Sequence, residues 1–259
     1  MRYGFSPLTA DLEYPEAFDL ASELGLFLEI AYDLHEINPR LPTAKDLLEM
    51  GRAAGVGFTV HLPFVDLNLA SLVPEVSKLS IERIQRSMEF SRQVGAYCGV
   101  LHTGTVPLRQ DVAVQVARNR LAKALEALLP LPIPVALENL VLEYTDLLQG
   151  PAELAEVLRA HRAYGFCLDV GHALIERGAE GSQEYYGLLS NRLIHYHLHD
   201  NGGAKDDHLA AGLGKVNWTW VKSVLQGFEG TIALEVTGGA KGVRDSIRLL
   251  TQREPERRY

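Results

Sequence analysis

The residues best suited to chemistry in this 259-residue chain are imidazoles and carboxylates that close short apolar runs. His61 lies in TVHLPF, His102 in VLHTG, Glu138 in VALEN, Asp169 in CLDVGH with His172 one turn further, and Glu235 in ALEV. The run LIHYHLHD supplies His195, His197 and His199, and DDHLAAGLG after it holds Asp206 and His208. Neutral imidazole and carboxylate oxygen are the ligand set taken by zinc and manganese. A single His closing a strand is more often a hydrogen-bonded structural group than a ligand. A Glu inside VALEN or IALEV is harder to dismiss, because an unpaired buried carboxylate is costly and a metal or an Arg would neutralise it. Recurrence at successive run ends points to a shared ion.

His195, His197 and His199 share one parity and therefore one face, at three depths. One of the upper two reaches the level of the ion, and His195 reads as a packed core histidine. Cys98 and Cys167 sit two to four residues deeper than the run ends, which makes them poor ligands. They read as buried free thiols, with a reduced, cytoplasmic location as the default.

Positioning such groups requires a framework. The apolar runs are RYGFS (2–6), LFLEIAY (26–32), GFTVHL (57–62), YCGVLHT (97–103), PVALEN (134–139), YGFCLDV (164–170), LIHYHLHD (193–200) and TIALEV (231–236). Several are near-continuous, as expected for parallel strands covered on both faces. Amphipathic segments separate them. In 76–95, Leu79, Ile84, Met88 and Phe90 approximate one stripe, with Lys78, Glu82, Arg83 and Arg86 on the wet side. Gly95 supplies a stop there, and Pro130 ends the helix predicted at 112–129. Eight strands alternating with helices predict a TIM (β/α)8 barrel, a fold of about 250 residues whose active sites lie at the C-terminal strand ends. No GxGxxG or Walker A sequence follows the first strand, which disfavours a doubly wound open sheet. The expected organisation is one barrel domain over 1–250 and a charged, fraying tail over 251–259.

Apolar residues make up 47% and charged residues 22% of the chain, ordinary values for a soluble globular protein. The formal net charge of −8 advertises no basic patch for nucleic acid, although a local Arg/Lys cluster can bind phosphates on an acidic protein. Arg40, Arg109 and Lys205 are too scattered to form one. No stretch approaches the ~20 apolar residues of a membrane span, so no membrane partner is expected.

At LDVGH (168–172) and HLHDNGGAKDDHLAAGLG (197–214), followed by the ALEV strand, the chain resembles the xylose-isomerase-like barrel superfamily. That group holds sugar isomerases and epimerases, inosose-processing enzymes and the endonuclease IV family. The resemblance to the single-metal isomerases implies an ion held by Glu138, Asp169, His197 and Glu235, with His172 beside the substrate. The resemblance to endonuclease IV implies three sites: His61, His102 and Glu138; Glu138, Asp169, His197 and Glu235; and His172, Asp206 and His208. Phe64 stands where that family has Tyr, and the loop before Asp206 is shorter than in the repair enzymes.

One ligand set is compatible with two mechanisms. In a zinc- or manganese-dependent isomerase or epimerase of a sugar or sugar phosphate, one ion stabilises an enediolate. Glu138 and Glu235 then exchange the proton, and His172, Asn139, His199 and Asp200 bind the substrate. In a phosphodiesterase acting at abasic DNA, two or three ions activate a water and clamp the phosphate. His61, His102 and His208 have a clear purpose only there. A third class is a non-catalytic barrel that binds a metal or ligand, which leaves both buried glutamates unexplained. A homodimer is expected by analogy alone.

Overall fold

The computed structural model describes residues 1–141 and 145–252. Its eight strands each fall inside one predicted run: β1 (Arg2–Phe5), β2 (Phe27–Ala31), β3 (Phe58–His61), β4 (Gly99–Leu101), β5 (Val135–Glu138), β6 (Gly165–Asp169), β7 (Leu193–Leu198) and β8 (Thr231–Leu234). Each pairs in parallel with its sequence neighbour, and β1 closes against β8, giving a (β/α)8 barrel. The helices are α1 (Tyr14–Leu24), α2 (Tyr32–Ile37), α3 (Ala44–Ala54), α4 (Pro74–Val94), α5 (Asp111–Ala127), α6 (Pro151–Ala160), α7 (Val170–Arg177), α8 (Gly181–Leu189), α9 (Trp218–Leu225) and α10 (Gly239–Thr251). Crossovers through helices are what parallel neighbours require. None of the described helices is long and apolar enough to cross a membrane.

Alternation along the strands divides the interior in two. Phe58, Leu101, Leu137, Phe166, Tyr196 and Leu234 join the large apolar core, while Val100, Ala136 and Cys167 form a separate small cluster. The second set has the parity of His102, Glu138 and Asp169, and so lines the lumen. At the β6–β7 seam, Phe166 pairs with Leu193 but Cys167 pairs with His195, so Ile194 is an extra residue. Such a bulge re-aims the side chains beyond it. Here it brings His195 and His197 level with Cys167 and Asp169.

The expected stripe on α4 needs correction. Its buried face is Ser77, Ser80, Ile84, Ser87, Met88, Ser91 and Val94, whereas Leu79 is exposed. Each of those serines returns its hydroxyl to a backbone carbonyl, for example Ser77 to Leu69 at 2.8 Å and Ser91 to Ser87 at 2.7 Å. A small side chain satisfied in this way can face the core. Arg83 is not fully wet either, because it is half-buried against Glu36 of α2. The stop at Gly95 holds: its φ of 70° places it in the left-handed region that favours glycine. The tail expected from 251 begins one residue inside α10, and residues 253–259 lie outside the described residues.

Candidate metal centre

The strand ends deliver their polar residues to one mouth. His61, Glu138 and Asp169 are the last residues of β3, β5 and β6, and His102, His199 and Glu235 come directly after β4, β7 and β8. There a cavity of about 400 Å³ is lined by His61, His102, Glu138, His172, Asp206, His208 and Glu235, with Leu8, Phe64, Leu140 and Val141 as apolar wall.

The centre of the arrangement is His197 Nδ1. It donates to Glu138 Oε1 at 2.8 Å, and it lies 3.8 Å from Asp169 Oδ2 and 3.7 Å from Glu235 Oε2. The other oxygen of Glu138 faces His102 Nε2 at 3.1 Å and His61 Nε2 at 3.5 Å, so this carboxylate joins two ligand groups. A third group forms on Asp206 Oδ2, which is 3.2 Å from His172 Nε2 and 3.1 Å from His208 Nε2. Glu138 Oε2 and Asp169 Oδ2 are buried and accept no hydrogen bond from the described residues. Buried carboxylate oxygens left open among imidazoles are what a divalent cation would satisfy. The residues present therefore fit such an ion.

Protonation reflects the same demand for positive charge. Burial alone would raise the Glu138 carboxyl, but the imidazoles of His197, His102 and His61 hold it well below the usual range. His172 is pushed up to about 10: burial opposes its charge, and Asp169, Asp206 and Glu138 overcome that. His208 rises to about 9 against burial, through Asp206 and Glu235. Burial lowers His102, while Glu138 prevails over burial to raise His61. These two rings share one carboxylate oxygen, so one proton between them suffices.

Local structure fixes several of these groups. Asp169 caps α7, accepting from the His172 backbone N–H at 2.7 Å, and His172 Nδ1 is 3.0 Å from the Asn139 carbonyl oxygen. His208 holds a left-handed backbone with φ of 48°. Its carbonyl accepts from both the N–H and the hydroxyl of Thr237, at 2.7 and 2.9 Å, which offsets the strain. Gly171 leaves room for the His199 ring, since a Cβ there would lie 2.0 Å from its Cε1. Phe64 stacks on His102 with centroids 4.6 Å apart and covers the His61–His102 pair without a hydroxyl.

Three expected substrate-binding residues are placed differently. Asp200 is directed away from the cavity and clamps the following loop, accepting from the backbone N–H groups of Gly212 and Val216 and from Trp218 Nε1 at 2.7 Å. Asn139 uses its side chain to bridge β5 to β6 through the Asp169 backbone, at 2.9 Å in both directions. His199 sits among the ligand groups, 3.0 Å from Asp169 Oδ1 and stacked on His208 at 4.2 Å. His195 lies deeper, with Nδ1 2.6 Å from Thr231 Oγ1. The residue that sequence reasoning missed is Glu29. It is buried in the lumen 3.0 Å from His197 Nε2 and 3.1 Å from His195 Nε2. The signal was present, since FLEIA is an apolar run with an internal Glu like VALEN.

Comparison with known proteins agrees with the barrel fold. A family model described as xylose isomerase-like TIM barrel matches residues 18–253. The chain is 30% identical to an uncharacterised protein of Methanocaldococcus jannaschii, MJ1311, over 96% of this chain and 86% of that one. It is 28% identical to a probable endonuclease 4 of Streptomyces avermitilis over 71% of this chain and 66% of that one. A solved D-tagatose 3-epimerase-like protein is 26% identical, with 96% of each chain covered and a TM-score of 0.81. The TTHB071 protein of Thermus thermophilus, in crystals soaked with ZnCl2, is also 26% identical, covering 96% of this chain and 98% of that one, with a TM-score of 0.75.

Proposed function

The chain belongs to the xylose isomerase-like TIM barrel family, and from that premise we propose a divalent-metal-dependent isomerase or epimerase of a ketose-type sugar or sugar phosphate. One observation carries this reading: Glu138, Asp169 and Glu235 meet around His197 Nδ1. The likeness to a D-tagatose 3-epimerase-like protein supports the reaction class, and the ZnCl2-soaked relative supports zinc as the ion. Glu138, Asp169, His197 and Glu235 would hold the ion, zinc or manganese. When bound, it supplies Lewis-acid polarisation of adjacent carbonyl and hydroxyl oxygens.

The remaining work falls to the chain's own side chains. Glu138 comes from β5 and Glu235 from beyond β8, so they enter the cavity from different walls. A substrate carbon between them can lose its proton to one carboxylate and regain it from the other. Glu138 is held anionic by three imidazoles, as a proton acceptor must be. His172 is tethered at the Asn139 carbonyl and lines the cavity, where with Asp206 at its Nε2 it would meet a substrate hydroxyl. Phe64, Leu8, Leu140 and Val141 give the cavity an apolar wall for the carbon skeleton of a substrate.

A second reading has a specific observation in its favour. His61 with His102, and Asp206 with His208, form ligand groups beyond what one ion needs. Two or three ions held there would supply the chemistry of a phosphodiesterase. Against DNA as its substrate, no Lys or Arg lines the cavity among the described residues.

A paired assay separates the readings. Proton exchange or epimerisation over a panel of ketoses, inososes and sugar phosphates is expected, with no cleavage of an abasic-site duplex. Near one metal per chain accompanies the first outcome, and two or three the second. Glu235→Gln should lower epimerisation by about 10²–10⁴-fold, and unchanged kinetics would remove its acid–base role.

A further inference from the structure

Beneath the ligand groups, the lumen holds a carboxylate that none of the steps above uses. We propose that Glu29 is a positioning residue: it accepts the Nε2 proton of His197 and thereby selects the tautomer whose Nδ1 lone pair faces the ion. This inference rests on the metal-centre reading of His197.

Three observations lead to it. First, both edges of the fully buried His197 ring face carboxylates. Nδ1 looks to Glu138, Asp169 and Glu235, and Nε2 lies 3.0 Å from Glu29 Oε1. Second, the two oxygens of Glu29 are unequally occupied. Oε2 accepts from the Thr59 hydroxyl at 2.7 Å and lies 3.1 Å from His195 Nε2, whereas Oε1 accepts no hydrogen bond from the described residues. A buried acceptor left open at hydrogen-bonding distance from a ring nitrogen is an expensive arrangement unless that nitrogen donates to it. Third, the carboxylate is itself held in place. Glu29 and Thr59 are register partners across β2 and β3, and His195 is anchored on its far side by Thr231 at 2.6 Å.

A neutral imidazole carries one donor and one acceptor. In the structure, Nδ1 donates its proton to Glu138 at 2.8 Å. An ion shared by Glu138, Asp169 and Glu235 requires that nitrogen as a lone pair, so the ring's remaining proton must sit on Nε2. Glu29 Oε1 is the acceptor waiting there. Carboxylate partners of this kind fix both tautomer and ring orientation of metal-bound histidines, and their loss typically lowers metal affinity about 10–100-fold.

The test uses the full chain. Zinc affinity is measured by chelator competition for the wild type, Glu29→Gln and Thr59→Val, alongside the visible spectrum of each Co(II)-loaded protein. Long-range ¹H–¹⁵N correlation on the zinc-loaded wild type reads the His197 tautomer directly. The expected results are an Nε2–H tautomer, zinc binding about 10–100-fold weaker in Glu29→Gln, a shifted Co(II) spectrum, and a smaller loss in Thr59→Val. An Nδ1–H tautomer in the loaded wild type overturns the proposal, as does wild-type affinity and spectrum in Glu29→Gln. If Glu29→Gln does not fold, Thr59→Val and the wild-type tautomer decide the matter alone. Wild-type protein that binds no zinc overturns the metal-centre reading together with this one. Tight wild-type binding with an unaffected Glu29→Gln overturns this one only.

Discussion

Leu137 and Glu138 are neighbours on one strand and serve two different interiors. Between strands and helices the core is filled by large apolar groups such as Phe58, Leu101, Phe166 and Tyr196. Inside the barrel, Val100, Ala136 and Cys167 leave room for Glu29, His195 and His197, all buried. Barrel lumens are ordinarily packed with bulky branched side chains. Here the outer layer supplies the hydrophobic stabilisation that makes the fold. The lumen gives up that contribution in favour of buried carboxylates, whose charge must be offset by protonated imidazoles or by a cation.

The sharpest way to break this contrast is to change the two neighbours separately. Glu138→Gln should lower turnover by about 10²–10⁴-fold and weaken zinc retention, while circular dichroism still reports a folded barrel. Leu137→Ala should do the reverse, costing about 2–5 kcal/mol in denaturant unfolding with zinc affinity within a few-fold of wild type. Equal effects of both substitutions on both readouts would dissolve the distinction between the layers.

A smaller effect comes from pH. In the metal-free protein, Asp169, Asp206 and Glu138 outweigh burial to raise His172 to about 10, and Asp206 and Glu235 likewise raise His208 to about 9. Both exceed the ordinary value near 6.5. Their protonated forms therefore stabilise the fold fully below about pH 6.5, and that contribution is lost as pH rises through 9 and 10. Zinc held by Glu138, Asp169 and Glu235 would neutralise carboxylates that otherwise depend on these protonated imidazoles, so the loaded protein should gain stability relative to the metal-free form as pH rises. Thermal midpoints of the two forms between pH 6 and 10 check this. A metal-free midpoint that climbs over that range would contradict the assignment.

The smallest expected effect concerns the outer layer. Leu79→Ser on the exposed face of α4 should change stability by less than about 0.5 kcal/mol. Ser87→Leu on its buried face should cost about 1–3 kcal/mol through overpacking. Urea unfolding of both variants measures the difference.

The contrast also explains how much was legible in the residues alone. Short apolar runs marked all eight strands, several of them near-continuous because a strand buried on both faces has little room for polar groups. The strand-end positions of His61, Glu138 and Asp169 were legible because a rim residue closes its run. Glu29 escaped because it lies mid-strand in β2, below the rim. The stripe on α4 was misjudged because Ser77, Ser80, Ser87 and Ser91 count as polar in any periodicity, yet each satisfies its hydroxyl on the backbone. The partners of Asp200 were hidden for a related reason: an acidic residue beside His199 reads as part of the site, while loop N–H groups and Trp218 occupy its oxygens. Hydrogen-bond partners that come from distant loops leave no trace in local spacing.

The central claim is that one cation belongs between β5, β6, β7 and β8. Anomalous diffraction from crystals of the zinc-loaded protein tests it most directly. A zinc peak about 2.0–2.2 Å from His197 Nδ1 and from carboxylate oxygens of Glu138, Asp169 and Glu235 is expected. Zinc found only elsewhere, with those four side chains still paired to one another, would contradict it.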